Sequence, residues 1–286
     1  MIQRRILSLS RVKFVKNRNG MKFNIKLYCK EKSVIPINYQ YPLSAAIYKI
    51  LAKGDAEYAA FLHEKGYGKG YKFFTFSNLK FKYKRDGDRM IILDSKVEFT
   101  VSFHLPEASR TFVEGLFKSE NIVIADKNSK VVFQVQSIIS LDNPLKEFSP
   151  QELMEVIVKP SSAIVTGIKN ERGHYDYLLP DDKEFLPSLI YGWRNKIRDA
   201  YDLETAEQAI LSIELEYYQN PFRTRLVHIK SDSQAATKIR GSLNYKLKLR
   251  AERRFIELLL NAGLGLYSAQ GMGSLEVVEV INNNKK

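Results

Sequence analysis

Four histidines, His63, His104, His174 and His228, are the side chains here whose ordinary pKa lies near neutrality and that could carry a proton in acid–base chemistry. None belongs to a His-Glu-x-x-His pattern, and Cys29, the lone cysteine, allows no Cys/His ligand set and no internal disulfide. Paired carboxylates occur at Asp181-Asp182 and Glu214/Glu216, but the first precedes a helix and the second lies on one side of an alternating strand, both structural placements. No phosphate-loop, Gly-x-Ser-x-Gly or kinase-like motif is present, which argues against an ATPase, a serine hydrolase and a metal-dependent nuclease. What remains is a Gly-rich segment in which Gly263 and Gly265 are followed by Gly271 and Gly273, four of the fifteen glycines within eleven residues. Glycine turns between a helix and a strand can present amide N–H groups to phosphate. Gly263 alone would read as a helix C-cap, but a cap does not require Gly271 and Gly273.

The partner such a loop would hold is anionic. Lys and Arg outnumber Asp and Glu by 45 to 32, a net charge of +13, which suits nucleic acid or a membrane surface. No apolar run approaches a bilayer-spanning length and no secretory signal is visible, so no membrane partner is expected. The unpartnered Cys29 suits a reducing cytoplasm. Residues 1–20 hold Arg4, Arg5, Arg11, Lys13, Lys16 and Arg18 with no acidic residue, and thus +6 of the +13. This basic extension is expected to be disordered or a mis-assigned start ahead of Met21, and the body still carries +7.

The elements that must position these groups repeat. From Met21 the pattern gives a strand at 22–28, a helix opening at Pro42 with Leu43, Ala46, Ile47, Ile50 and Leu51 on one face, and a short helix from Asp55 to Glu64. Two aromatic-rich strands, Phe73–Tyr83 and Met90–Phe103, flank an Asp86-Gly87 turn, and a helix at 106–118 and a strand at 130–139 follow. After a linker at Asp142–Pro150 the order recurs: strand 154–159, helix 182–200, strands 209–217 and 236–249, helix 251–262, strand 274–281. The expected fold is α+β, two ferredoxin-like (RRM-like) βαββαβ domains in tandem at 21–148 and 149–286, the second with the Gly-rich loop.

In the second copy Lys238, Arg240, Ser242, Asn244, Lys246, Lys248 and Arg250 alternate with apolar residues and glycine. A single solvated strand face usually mixes charges, and here all five are positive, which favours an RNA-facing surface. Arg223, Arg225 and Lys230 surround His228 nearby.

Three further segments occur in a fixed order: Tyr41-Pro42-Leu43-Ser44-Ala45-Ala46-Ile47-Tyr48, then Phe61-Leu62-His63-Glu64, then Lys72-Phe73-Phe74-Thr75-Phe76-Ser77. Together with the Gly263/Gly265/Gly271/Gly273 loop they resemble the CRISPR-associated endoribonucleases of Cas family six, in the RAMP superfamily, over about Met21 to Ile281. Matched motif by motif, the resemblance implies Tyr48, His63 and Lys72 as catalytic residues in the N-terminal domain, with Lys65 and Lys69 of the intervening insert as rivals for the lysine. It implies RNA contacts at Lys238, Arg240, Lys246, Lys248, Arg223 and Arg225 and at the four loop glycines. It implies CRISPR repeat RNA as the partner, no metal and no cofactor, and as further candidate partners the other Cas proteins of an effector complex and a second copy of the chain.

The chemistry fits these residue types. Cutting RNA without metal needs a 2′-hydroxyl that loses its proton, a stabilised phosphorane and a protonated 5′-oxygen, and it leaves 2′,3′-cyclic phosphate and 5′-OH ends. His63 suits leaving-group protonation, Lys72 supplies fixed charge, and Tyr48, with an ordinary pKa of about 10, suits orienting the 2′-hydroxyl. The plainer alternatives are a partly buried helix histidine beside Ala59 and Ala60 for His63 and a core aromatic for Tyr48. At the level of function the alternative is a non-catalytic RNA-binding subunit of a CRISPR interference complex, which could dispense with all three. A general tandem-RRM protein ranks last, because no aromatic RNP motif occurs.

Overall fold

The computed structural model describes residues 13–15, 21–229 and 237–281. In chain order the elements are β1 (Lys13–Val15), β2 (Lys22–Tyr28), β3 (Val34–Pro36), α1 (Gln40–Gly54), α2 (Ala56–Glu64), β4 (Phe74–Phe76), β5 (Tyr83–Asp86), β6 (Arg89–Ile92), β7 (Lys96–Phe103), α3 (Pro106–Phe117), β8 (Asn121–Ala125) and β9 (Lys130–Ser140). They continue as β10 (Leu153–Pro160), β11 (Gly167–Lys169), β12 (Tyr175–Tyr177), α4 (Phe185–Ala200), α5 (Leu203–Gln208), β13 (Ser212–Ile229), β14 (Thr237–Glu252), α6 (Arg253–Ala262) and β15 (Leu275–Ile281). The chain divides into two compact units, one made of the residues up to His63 with Asn78–Asp142, the other of Glu64–Ser77 with the residues from Asn143 onward.

In the first unit β2 lies between β7 and β9, antiparallel to both, and β8 pairs with β9 on the far side. Phe23, Ile25 and Leu27 alternate on β2 and are buried. Helix α1 buries the stripe Leu43, Ala46, Ile47, Ile50 and Leu51. Its crossing with α3 is close: a Cβ on Gly115 would lie 1.8 Å from the Ile50 carbonyl oxygen, and one on Gly54 2.1 Å from that of Thr111. Only glycine permits that approach, which fixes the height of α1 and of the side chains it carries.

Several expectations are corrected here. Helix α1 opens at Gln40, two residues before Pro42, which occupies the first turn, where its missing N–H costs no hydrogen bond. The expected strand Phe73–Tyr83 is two short strands, β4 and β5, and Met90–Phe103 is β6 followed by β7. The hairpin forms here, but its two-residue turn is Gly87-Asp88, with Gly87 at φ 56° and Asp86 paired to Arg89, and β5–β6 completes a small sheet with β3 while β7 joins β2. Aromatic content marks these residues as strand without saying which partner each piece takes. Strand β8 is an addition to the expected order, although Ile122 and Ile124 alternate and are buried. Of the basic extension, only Lys13–Val15 is described, pairing in parallel with Ser137–Ile139; the rest of residues 1–20 lies outside the described residues.

The second unit has the sheet order β13-β14-β10-β15, with antiparallel neighbours. Numbered within the unit this is second, third, first, fourth strand, the ferredoxin-like arrangement, with α4 between the first two strands and α6 between the last two. The hairpin β11–β12 and the helix α5 are additions. Helix α4 presents Phe185, Leu189, Trp193 and Ile197 at intervals of four, all fully buried, and the indole N–H of Trp193 donates to the Phe255 carbonyl at 3.0 Å. Strand β13 runs far beyond the expected 209–217, because a register shift between Tyr218 and Arg223 absorbs Pro221 and pairing resumes.

Candidate active site

Helix α2 starts where the Asp55 carboxylate accepts the Tyr58 amide at 2.9 Å, the expected N-cap. This cap, following directly on the end of α1, sets His63 against Tyr48. Their ring centroids are 4.9 Å apart with planes at 88°, an edge-to-face pair. His63 is exposed, not the partly buried histidine of the plainer alternative, and Tyr48 is half-buried on the same turns that bury Ile47 and Leu51. Burial pushes the Tyr48 phenol well above its usual value, so at neutral pH it is a hydroxyl donor and not a base. An exposed imidazole with a phenolic O–H beside it can hand a proton to a leaving oxygen and hold a substrate hydroxyl.

Lys72 belongs to the other unit, in the strap 64–77. Residues Lys65–Tyr71, the insert between the His63 and Lys72 motifs, close into a tight hairpin: the Tyr67 and Tyr71 amides each donate to the other's carbonyl at 2.8 Å. Gly66, Gly68 and Gly70 all have positive φ within it. The strap is docked on α4. The Lys69 amide donates to Asp199 at 2.6 Å, and Lys69 Nζ lies 3.4 Å from Asn195 Oδ1. Lys65 and Lys69 are exposed, whereas Lys72 is half-buried and burial lowers its pKa from the ordinary lysine value. A partly desolvated ammonium attracts phosphate more strongly than a fully hydrated one. Beneath the strap, Lys196 of α4 is 2% exposed; its Nζ donates to the Gly263 carbonyl and lies 5.8 Å from the Tyr71 ring centroid. Complete burial lowers its pKa to about 7.

The Gly-rich loop departs from expectation in how it acts. All four glycines have positive φ, between 70° and 84°. Yet the amides of Gly263, Gly271 and Gly273 donate to Leu259, Ser268 and Ala163 carbonyls at 2.8–2.9 Å, so these three cannot cradle phosphate. Their use is close packing: a Cβ at Gly273 would lie 1.9 Å from the Leu264 carbonyl oxygen, and one at Gly271 2.3 Å from the Phe76 ring. Thr75 Oγ1 adds a hydrogen bond to the Met272 carbonyl at 2.9 Å. The loop is a buckle that locks strap to core. Gly265 and the residues after it line a groove of about 790 Å³, all within this unit, whose other walls include Lys72, Lys69, Lys169, Tyr175 and Tyr191. Sequence reasoning missed these two tyrosines; single tyrosines on separate elements, β12 and α4, leave no pattern.

The basic strand is only partly as expected. Alternation holds along β14, except that Ser242 is fully buried and Asn244 takes φ 65°. The face is not purely positive, because neighbouring strands add acids to it: Lys248 pairs with Glu214 at 2.8 Å and Arg250 with Glu155 at 3.7 Å. Lys238 and Arg240 share a face with His228 and Leu226, their register partners on β13. Arg223 and Arg225 face Leu243 and Gly241 and so lie on the opposite side of the ribbon, while Lys246 is opposite Tyr217. Lys230 lies outside the described residues. His174 is exposed in the β11–β12 turn, and burial lowers His104 to about 4, leaving it neutral. Among the described residues no three of His, Cys, Asp and Glu converge on a possible metal position, and no helix is long and apolar enough to cross a membrane.

Comparison with known proteins agrees with this architecture. Residues 34–138 match the family model described as CRISPR-associated protein Cas6, N-terminal, and residues 144–277 the one described as CRISPR associated protein Cas6, C-terminal. A curated relative, CRISPR-associated endoribonuclease Cas6 1 of Methanocaldococcus jannaschii, is 27% identical over 277 residues, covering 94% of this chain and 97% of that one. A solved CRISPR associated protein Cas6 superposes with a TM-score of 0.68 at 25% identity, over 91% of this chain and 100% of the other. The product of a Cas6-related gene from Pyrococcus furiosus gives 0.73 at 23% identity, over 91% and 99%, a likeness of fold. With both halves matched in order across nearly the whole chain, the protein belongs to the Cas6 family of CRISPR-associated proteins.

Proposed function

We propose that this protein is an endoribonuclease that cuts CRISPR repeat RNA into guide units, without metal, by attack of the 2′-hydroxyl on the adjacent phosphate. The observation that carries the reading is the Tyr48–His63 pair, an exposed imidazole set edge-on to a half-buried phenol at 4.9 Å. His63 protonates the departing 5′-oxygen. Tyr48, held protonated by burial, donates its hydroxyl to orient the attacking nucleotide. Lys72 is assigned the charge on the phosphorane by its place in the family's motif order, and its partial desolvation supports that role over the exposed Lys65 and Lys69. The products are a 2′,3′-cyclic phosphate and a 5′-hydroxyl: the bond from the 2′-oxygen to phosphorus forms as the bond from phosphorus to the 5′-oxygen breaks, the 2′-hydroxyl proton passes to solvent water, and solvent returns a proton to the exposed His63. Lys238, Arg240, Lys246, Arg223 and Arg225 bind the RNA backbone, and Lys248 contributes less because Glu214 offsets it. Tyr48 and His63 are supplied by the first unit, and Lys72 and the Gly-rich loop by the second, so the expected division at 148/149 is replaced by one in which the strap 64–77 goes with the second unit. Single-turnover cleavage of repeat RNA, followed by mapping of the end groups, tests the reading.

A further inference from the structure

The groove beside the Gly-rich loop carries more than charge. Tyr267 sits at φ 58°, a left-handed backbone that an aromatic residue adopts only when its surroundings compel it, and it lies on the groove wall. The compulsion is visible: its hydroxyl meets that of Tyr177 at 3.2 Å, and both rings rest on the core formed by Val165, Val227 and Ile239. Tyr175 stands edge-on to Tyr267 at 6.4 Å and carries Lys169 Nζ 5.6 Å from its ring centroid. Tyr191 of α4 is 68% exposed on the same groove, an amount of open aromatic surface that core packing does not require. Lys69, Lys72 and Lys169 line the groove as well.

Aromatic faces interleaved with ammonium groups are the arrangement that binds single-stranded nucleic acid, with rings stacking on bases and lysines meeting phosphates. A volume of about 790 Å³ lies within the roughly 300–1,000 Å³ of ligand sites, space for unstacked nucleotides and not for a duplex. We propose that this groove, with Tyr175, Tyr191 and Tyr267 as its platforms, is a stacking site for unpaired bases of the RNA flanking the cut phosphate. The inference rests on the endoribonuclease reading and adds to it the strandedness of the substrate at this point: nucleotides entering the groove are single-stranded. Base stacking tolerates any sequence, so the site selects unpaired over paired RNA and not one base over another.

The test uses the full-length protein and repeat RNA carrying one abasic nucleotide at successive positions, with binding read by fluorescence anisotropy. Tyr191→Ala, whose exposed side chain is dispensable for folding, and Tyr175→Ala should each weaken binding about 5- to 150-fold, the range for loss of one stacked base. The Phe variants at the same positions should bind within about twofold of the wild type, since Phe keeps the stacking face. In the wild type an abasic nucleotide should weaken binding at one or two positions only, and at those positions it should cost nothing further in the Ala variants. Unchanged affinity in both Ala variants, or abasic losses that simply add to theirs, overturns the proposal. Wild-type cleavage of the same RNA is measured in parallel: cutting with indifferent Ala variants removes the groove alone, whereas base-dependent binding without cutting removes the nuclease reading and leaves the groove.

Discussion

At the level of single residues, the roles proposed for Tyr48 and His63 follow from their different exposures. His63 is exposed, while Tyr48 is held protonated by burial. His63→Ala should therefore slow single-turnover cleavage by about a hundredfold or more, the usual worth of a positioned acid–base group, with RNA affinity nearly unchanged. Near-normal cleavage would make the ring pair a packing contact only. Tyr48→Phe keeps the edge-to-face contact and removes the hydroxyl, so any rate loss there reports the O–H itself. Lys72→Ala should lower the rate more than Lys69→Ala, whose amide and side chain are already engaged on α4; equal losses would contradict the assignment. These residues are legible in the sequence as an ordered set of motifs, and the N-cap at Asp55 is legible from local chemistry. Lys196 is not legible, because nothing in Asn195-Lys196-Ile197 announces that a charged side chain will be 2% exposed. Its folded-state pKa of about 7 lies below the unfolded value near 10.4, so the unfolded chain binds the extra proton between those limits and stability rises as pH increases through that window. Relative to Lys196→Met, wild-type stability should climb by up to about 1.4 kcal/mol per pH unit between roughly pH 7 and 9. Parallel curves from denaturant titrations would refute this.

Among the elements, the Gly-rich loop shows how a sequence signal can be read correctly as special and wrongly as to cause. Gly271 and Gly273 stand out as more than a helix cap, but glycine is needed there because Phe76 and the Leu264 carbonyl occupy the space a Cβ would take. That requirement is tertiary and leaves no local trace. Gly271→Ala should lower the melting temperature clearly, by the equivalent of at least about 2 kcal/mol, combining a strained φ of 78° with overpacking. Gly87→Ala, at φ 56° with nothing within 4 Å, should cost only the conformational part, about 1 kcal/mol. Equal melting shifts would mean the Phe76 contact is unimportant. The basic ribbon is likewise half legible: period two places β14 and its cations, but a single strand cannot show that β13 and β10 bring Glu214 and Glu155 to the same face. Neutralising Lys238, Arg240 and Lys246 should flatten the salt dependence of RNA binding by about 0.7 in log–log slope for each phosphate left without its cation. Lys248→Gln should do less, because Glu214 already offsets that charge. An unchanged slope in the triple variant would make the ribbon merely solvated.

For the molecule as a whole, repetition of the strand and helix order makes the tandem arrangement readable, and the sheet order of the second unit follows it strand for strand. The first unit is less readable, since the two aromatic-rich runs between Phe73 and Phe103 break into β4, which belongs to the other unit, and β5, β6 and β7, which take different partners. The central claim is self-cleavage chemistry directed by the protein, in which the RNA supplies its own nucleophile. The most direct measurement is cleavage of cognate repeat RNA by the full chain in excess EDTA, beside a substrate with a 2′-deoxy nucleotide before the scissile phosphate. The expected result is normal cutting of the all-ribose RNA, with 2′,3′-cyclic phosphate ends, and no cutting of the deoxy substrate despite unchanged binding. Cleavage that requires added Mg²⁺, or that proceeds on the deoxy substrate, would contradict it.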